Sequence, residues 1–546
     1  MSILGKKWLE PRERGADESL WSALLASRAV QDPGQFFGAA QIEDLHDPFL
    51  LPDMEKSVAR IQTAIKNRER IVIYGDYDVD GISGSALLIH TLRFLGGEVS
   101  YRIPHRMNDG YGLHASHVQE LATQDVKILV TVDLGISCAA EVKLAQDSGI
   151  DVILTDHHAI PDTLPKPFAV LHPKLAPDYP FKELSGSGVA FKLASALMHA
   201  SGNPDLIITL TDLASLGTVA DCVPLVGENR MIVKLGLKQM RNTKWEGLRA
   251  LLRTAGVWGE QNFSEFTIGF QLGPRINASG RMDNPYWALQ ALISKGKEAE
   301  EKSQKLEMLN LQRQELTRTI QEEAEASLDH SMPILLASGR GWSSGIVGLI
   351  AGRLQEKYGK PTFILEERDD IFVGSARSLP GFHAVEAIKQ AADLLESFGG
   401  HAQAAGFHLK KENYPAFAKT LLAYAQDFFA DTPVLPQLQV DAQLRAGEIS
   451  LENCEKIASF APFGIGNATP HFLLKNVKIL DSKPVGRTAA HLKFRTDFAG
   501  DPIDGIAFNF AEHEDALRSA RDLIVTLEAN TWNNISKPQI KLVDFA

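Results

Sequence analysis

The chain has 546 residues, 44% hydrophobic and 23% charged, a soluble globular composition with length for roughly three to four cores of about 150 residues each. No apolar run reaches the roughly 18–20 residues needed to span a bilayer, and MSILGKKWLEPRERGADESLW lacks the apolar core of a secretion signal, so no membrane role and a cytoplasmic location are expected. Three distant cysteines (Cys138, Cys222, Cys454) exclude a disulfide framework, and a net charge of −12 argues against a nucleic-acid-coating surface but not against an enzyme that processes nucleic acid.

In chain order, a mixed N-terminal segment over 1–55 ends in the loop-like HDPFLLPD. The basic helical pattern MEKSVARIQTAIKNRER leads into IVIYG at 71–75 and opens a domain expected over 56–240. Three apolar runs share one plan: RIVIYGDYDVDG ends in acids and glycine, VKILVTVDLG ends at Asp133, and IDVILTDHH ends at Asp156, His157 and His158. Each is short, rich in Ile and Val and followed by a helical pattern, which predicts strands of a parallel sheet with crossover helices. Ligands collect beyond the carboxyl ends of such strands, so the three polar clusters are expected to converge. The helical TLTDLASLGTVADC brings Asp221.

A helical linker is expected over 241–328, where Leu306, Leu309, Leu316 and Ile320 predict a long, partly exposed connecting helix. A second α/β region follows over 329–432. Past the Pro-punctuated DTPVLPQLQ, a β-rich region over 433–546 carries HFLLKNVKIL, AHLKFRTD, PIDGIAFNF and RDLIVTLEA, which predict a small barrel.

GDYDVDG sets Asp76, Asp78 and Asp80 at alternate positions after a strand. Alone, such a triplet is more often a calcium loop or a solvated turn, but the glycine and distal Glu of an EF-hand do not fall at that loop's spacing. Asp133 alone is an ordinary strand-end residue, and Asp156-His157-His158 alone an N-cap with satisfied histidines. Together they make a hard oxygen-rich set with imidazole, suited to Mn²⁺ or Mg²⁺. Crowded carboxylates need cations between them, and a pair of metals can stabilise both attacking and leaving oxygens of a phosphoryl displacement. Cys222, beside Asp221, reads as a small buried residue rather than a ligand.

GDYDVDG, VTVDLG, TDHH and LGTVADCVPL resemble, in order, the four motifs of the DHH phosphoesterases. From about residue 40 to the end, the chain is similar to the RecJ family of 5′→3′ single-strand exonucleases within that superfamily. The resemblance implies an α/β fold: a parallel-sheet DHH domain and a smaller α/β DHHA1 domain joined by a long helix, with a C-terminal OB-fold β-barrel. It implies Asp78, Asp80, Asp133, His157 and Asp221 as ligands of two divalent cations, Mn²⁺ or Mg²⁺, with Asp76 an additional acid and Asp133 the bridge. Asp156 would orient His157, His158 would face the scissile phosphate, and water rather than a side chain would be the nucleophile.

Three Gly-rich turns, GWSSGIVGLIAG, GSARS and GGHAQAAG, resemble the DHHA1 domain and offer Ser375, Arg377 and His401 for substrate. The family often has His where this chain has Ser343 or Ser344. Arg106, in PHRMNDGYGL, would bind the 5′-terminal phosphate with Ser375 and Arg377, a task suited to the guanidinium fork. GPRINASGRM adds Arg275 and Arg281 near the DNA path, with a structural salt bridge as the bland alternative.

FAPFGIGNATPHF opens a region similar to the RecJ-type OB-fold, and six Lys/Arg against one Asp lie between Lys475 and Arg495. Phe494, Phe508 and Phe510 are candidate stacking platforms, half of them expected in the core. The resemblance implies action in DNA repair and recombination as a monomer on single-stranded DNA, alongside a single-strand binding protein and a RecQ-type helicase. Two other readings compete: a DHH phosphodiesterase of short oligonucleotides or cyclic dinucleotides, and a catalytically dead DNA-binding scaffold.

Overall fold

The computed structural model describes residues 2–28, 30, 32–260, 263–431, 436–533 and 535–546. The boundary expected at 432/433 and residues 432–435 of the Pro-punctuated stretch lie outside the described residues. The chain divides into one unit over residues 40–432 and a second made of 1–39 with 433–546.

In the first unit, five parallel strands lie in the order Glu98–Arg102, Arg70–Gly75, Val126–Val132, Asp151–Thr155, Ala169–Leu171. The strand that comes first in the chain sits second in the sheet. Connections therefore leave in opposite directions from Arg70–Gly75 and Val126–Val132, and a crevice opens at their carboxyl ends. Both faces are covered. Ile71, Ile73, Val130 and Ile153 pack with Leu87, Leu88 and Phe191, while Val72, Tyr74, Leu129 and Val152 pack with Val118 and Val142. Burial on both sides is why these runs read as continuously apolar rather than alternating.

One expected connection differs. No helix directly follows Asp151–Thr155; an irregular stretch reaches the short strand Ala169–Leu171, and the next α-helix is Gly186–Ala200. Pro161, Pro165 and Pro167 remove the N–H donors a helix would need there.

Residues 241–328 are mostly helical, ending in a 32-residue helix, Gly296–Ser327. Leu248, Leu251, Ile276, Leu289, Leu292 and Leu306 share the core cluster of the parallel sheet, so much of this stretch closes that core. Its later turns carry Ile320 and Ala324 against Leu335, Ile346 and Ile350 of the following α/β region. There, a five-stranded mixed sheet runs Leu395–Gly400, Ala404–Lys410, Ile371–Arg377, Thr362–Glu367, Leu335–Arg340.

The second unit holds a seven-stranded sheet in the order Ala442–Gln443, Phe472–Leu474, Leu523–Trp532, Ile535–Phe545, Asp501–Ala507, His491–Phe498, Lys478–Val485. The N-terminal residues contribute to it. Lys7–Leu9 pairs in parallel with Gln437–Gln439, and Leu20 and Leu24 enter a core with Phe460, Phe472 and Phe494. Of the three candidate platforms, half of them expected in the core, the core takes two: Phe494 is 1% and Phe510 7% exposed, so neither can stack on a base. Phe508 remains open at 45%, with Lys541 Nζ 5.0 Å from its ring centre.

Candidate metal centre

The three acidic clusters and Asp221 converge at the crevice. Asp78 closes the strand-to-helix turn as the N-cap of Val79–Phe94, its Oδ1 accepting from the N–H groups of Asp80 (2.9 Å) and Gly81 (3.1 Å). Asp80 turns the other way. Its carboxylate accepts from the N–H of Gly186 at 2.6 Å and of Ser187 at 2.9 Å, at the N-terminus of Gly186–Ala200. Gly186 is required by this approach, since a Cβ there would lie 2.5 Å from Asp133 Oδ1. Asp133 follows its strand with φ of 64°, a left-handed conformation costly for a non-glycine residue. Asp221 arrives from the C-cap of Thr211–Ala220.

His157 Nε2 lies 3.1 Å from Asp133 Oδ1, 3.5 Å from Asp221 Oδ2 and 3.9 Å from Asp80 Oδ2. Three overlapping sets, Asp76-Asp78-Asp133, Asp80-His157-Asp221 and Asp133-His157-His158, each offer ligand atoms within 4.8 Å of one another. Asp133 and His157 each belong to two sets, so the geometry can hold more than one ion.

Among the described residues, buried Asp76 Oδ1, Asp133 Oδ1 and His157 Nε2 have no hydrogen-bond partner, the last two approaching each other at 3.1 Å without forming one, an expensive arrangement unless a cation supplies the partner. The electrostatics agree. Burial, then Asp78, hold Asp76 well above the ordinary carboxylate range. Burial, then Asp80, Asp78, Asp76 and Asp221, do the same for Asp133. Burial, then Asp80 and Asp78, push Asp221 up to about 8. Burial lowers the His157 imidazole, favouring the neutral form that can ligate. The residues present therefore fit a divalent-cation centre.

Two expectations are corrected. Asp156 orients the ring of His158, not of His157: its Oδ1 lies 2.7 Å from His158 Nδ1 and meets His157 only at the backbone N–H, also 2.7 Å. Burial opposes ionisation of Asp156, but His158 overrides it and holds the carboxyl at about 2; in return Asp156 overrides burial and lifts His158 to about 9. Cys222 is exposed, not buried, because it leaves the helix in a left-handed turn, φ 59°.

Across the crevice, Arg106 lies over the Tyr77 ring, 5.0 Å from its centre. Arg377 donates to Ser375 Oγ at 3.3 Å and to the Ala376 carbonyl at 2.9 Å. Arg281 donates to the Gly345 carbonyl at 3.0 Å, and burial, then Arg106, Arg313 and Arg377, lower its guanidinium to about 9. Among the described residues none of Arg106, Arg281 and Arg377 has a carboxylate within ion-pair distance, whereas Arg275 has. Its Nε sits 2.5 Å from Glu307 and its Nη1 2.6 Å from the Gln271 carbonyl, so this arginine is structural, a correction to its reading as a DNA contact.

His401 is exposed in the turn between Leu395–Gly400 and Ala404–Lys410, and pairing of Ala404 with Arg377 puts that turn at the Arg377 end of the sheet. Ser344 is occupied by its own neighbours, its N–H donating to Glu366 at 2.9 Å and its hydroxyl accepting from Arg368 at 3.1 Å.

The sequence reading passed over Tyr111. Its hydroxyl donates to the Asp133 carbonyl at 3.1 Å and lies 3.1 Å from His158 Nδ1. Only its place in the Gly-Tyr-Gly turn beyond an edge strand pointed to the crevice.

The chain is 36% identical over 541 residues to the single-stranded-DNA-specific exonuclease RecJ of Bacillus subtilis, covering 96% of this chain and 68% of that protein. This chain belongs to the RecJ family. The RecJ of Haemophilus influenzae is 32% identical, with 97% of this chain and 96% of that one covered. In structure, this RecJ family member is similar to RecJ of Thermus thermophilus in complex with Mn²⁺, with a TM-score of 0.84 and 30% identity over 96% of this chain and 75% of that one. A structure of exonuclease RecJ bound to manganese matches at a TM-score of 0.63 and 35% identity, over 70% of this chain and 97% of that one. Family models match the DHH family N-terminal domain over 70–218, the DHHA1 domain over 331–427 and the RecJ OB domain over 440–544.

Proposed function

We propose that the chain is a metal-dependent exonuclease that removes nucleotides from the 5′ end of single-stranded DNA, in repair and recombination. The observation that carries this is the facing of two charged groups. Among the described residues, a carboxylate-imidazole cluster with unpartnered atoms opposes arginines that have no carboxylate within ion-pair distance. The first fits cations and the second a phosphate.

Asp78, Asp80, Asp133, His157 and Asp221 would hold two cations, Mn²⁺ or Mg²⁺, with Asp76 beside them. When bound, the cations supply positive charge against which the scissile phosphate and an attacking water are polarised. The chain's own groups do the rest. The amides of Gly186 and Ser187 fix Asp80. Asp156 keeps His158 protonated as a donor to the phosphate. Arg106, Ser375 and Arg377, with Arg281, receive the terminal phosphate and so set the end from which digestion starts; His401 lies at the rim.

The OB domain supports a polymer substrate over a dinucleotide. We further place the catalytic domain at 56–240, a helical linker at 241–328, the DHHA1 domain at 329–432 and the OB domain at 433–546. A monomer in the cytoplasm, supplied by a single-strand binding protein and a RecQ-type helicase, follows from the family resemblance. None of the described helices is long and apolar enough to cross a membrane.

The test is time-resolved product analysis on strands labelled at either end, with Mn²⁺ or Mg²⁺ and with matched RNA. Mononucleotides released from the 5′ end of DNA are expected; release from the 3′ end, or turnover confined to dinucleotides, overturns the reading.

A further inference from the structure

Phe266 and Phe270 are 57% and 71% exposed, yet their rings stack on each other with centres 4.9 Å apart and planes at 21°. Two adjacent phenylalanines left in water are an apolar surface in want of a partner. Phe266 caps, and Phe270 lies within, a π-helical turn, Thr267–Leu272, a rare conformation frequent at functional sites. That turn runs directly into the helix Gly273–Met282.

One side of this continuous rod lies along the metal-bearing elements. A methyl group on Gly269 would sit 3.8 Å from Val219, and one on Gly273 3.9 Å from both Ala220 and Val79. One on Gly280 would sit 3.3 Å from the Tyr77 carbonyl. The far end carries Arg281, inside the arginine group that faces the crevice. Terminal-phosphate recognition and the exposed rings are thus at opposite ends of one rod that passes the carboxylates. At roughly 1.5 Å per residue, Phe270 and Arg281 are separated by about 16 Å along it. Arg275, between them, is committed to Glu307, so the phenylalanine end presents ring faces rather than a phosphate-binding cation.

We propose that Phe266 and Phe270 form a stacking platform for nucleobases of the strand on the 3′ side of the scissile phosphate. The platform rests on the single-strand nuclease reading and adds to it where the uncleaved strand leaves the site. Stacking on ring faces is sequence-tolerant, as a processing enzyme requires.

The experiment uses the full chain with Mn²⁺ and 5′-phosphorylated 30-mers in which one abasic residue is walked through successive positions. The unsubstituted chain is expected to show a rise in KM when the gap falls at one or two positions several nucleotides from the 5′ end. In F266A/F270A that step disappears, and the preference for a 30-mer over a trinucleotide falls about tenfold, the size of one lost base stack. F270W, which keeps a ring face, retains the step; it also separates stacking from a folding defect in the alanine variant.

An abasic profile and strand preference unchanged in F266A/F270A would overturn the platform while leaving the nuclease reading intact. So would sedimentation showing a dimer that F266A/F270A turns into monomer, since a second copy would then cover the rings. Absence of single-strand hydrolysis by the unsubstituted chain would sink the nuclease reading and take the platform with it.

Discussion

The backbone N–H of Gly186 donates to Asp80 Oδ2 at 2.6 Å, so a helix N-terminus rather than a side chain fixes the most deeply buried acid of the GDYDVDG motif. The helix dipole favours negative charge at this point, and the same glycine leaves room for Asp133. Gly186→Ala is therefore expected to disturb two candidate ligands at once. A Cβ 2.5 Å from Asp133 must displace it, at about 1–3 kcal/mol for an overpacked site. Hydrolysis should fall at least tenfold, and the Mn²⁺ concentration for half-maximal activity should rise. A variant with wild-type metal dependence would show that this contact does not position the acids.

Without cations the acidic cluster should make stability fall as pH rises. Burial and like charges raise the folded-state values of Asp76, Asp133 and Asp221, the last to about 8, against 3.8 for an ordinary Asp. Between those values the folded chain holds protons that the unfolded chain has released, so the slope of stability with pH is negative. The melting temperature of chelator-treated protein should therefore decline between pH 5 and 8. Saturating Mn²⁺ should restore roughly 5 °C or more at pH 8 and much less at pH 5. A metal response that is flat with pH would refute the coupling.

Much of this site was legible because its carboxylates sit at strand ends, where an apolar run stops abruptly at a polar residue. Asp78, Asp133 and His157 were visible for that reason, and parallel-sheet topology brought them together. What was hidden lay in backbone groups and in distant contacts. The amides of Gly186 and Ser187 carry no side-chain signature, and Tyr111 looks like any turn tyrosine. Whether Asp156 turns toward His157 or His158 depends on a rotamer. Arg275 and Arg281 lie in one motif six residues apart, yet one meets Glu307 and the other a crevice; spacing cannot tell them apart. In the second unit, Phe494 and Phe508 belong to neighbouring stretches, but Phe494 lies within the strand His491–Phe498 and Phe508 in the turn just past Asp501–Ala507, so where the strand ends decides which ring the core takes.

Asp156→Asn should act through His158. The Asp156 carboxylate holds the imidazole at about 9, with 6.5 the ordinary value. Removing the anion should return it toward that value, so the protonated form would be lost above neutrality. The rate of D156N relative to wild type is expected to fall as pH rises from 6 to 8. A pH-independent ratio would mean that Asp156 serves only as a structural acceptor for the N–H groups of Ile136 and His157.

Arg377 should affect the strand end rather than bond cleavage itself. It touches Ser375 and lies electrostatically beside Arg106 and Arg281. A lost charge-assisted contact to phosphate is worth about 1.5–3 kcal/mol, so R377A should slow digestion of 5′-phosphorylated strands roughly 10- to 100-fold. Strands with a 5′-hydroxyl should be affected far less, closing the gap between the two. Equal slowing of both would place Arg377 outside end recognition.

Lys192 and Glu228 give a prediction about stability further along the helix Gly186–Ala200 whose first residue holds Asp80. Their charged atoms meet at 2.7 Å with side chains 1% and 0% exposed, while Tyr179 donates to Glu228 Oε2 at 2.5 Å and the His46 N–H to Oε1 at 3.1 Å. Lys192 also donates to the His46 carbonyl, so the pair ties the segment around residue 46 to two helices. Burial lowers the Lys192 ammonium even beside its partner, a sign that desolvation weighs heavily here. Breaking such a pair from one side leaves a buried charge without compensation, at about 3–5 kcal/mol, whereas replacing both members with apolar side chains is often near neutral. E228Q and K192M should therefore each lower the urea midpoint sharply, and because K192M/E228L strands no charge, though it leaves Tyr179 and the His46 backbone without partners, its loss should fall well short of the sum of the two single losses. If the loss in the double equalled that sum, packing volume and unpaired hydrogen-bonding groups rather than the stranded charge would account for it.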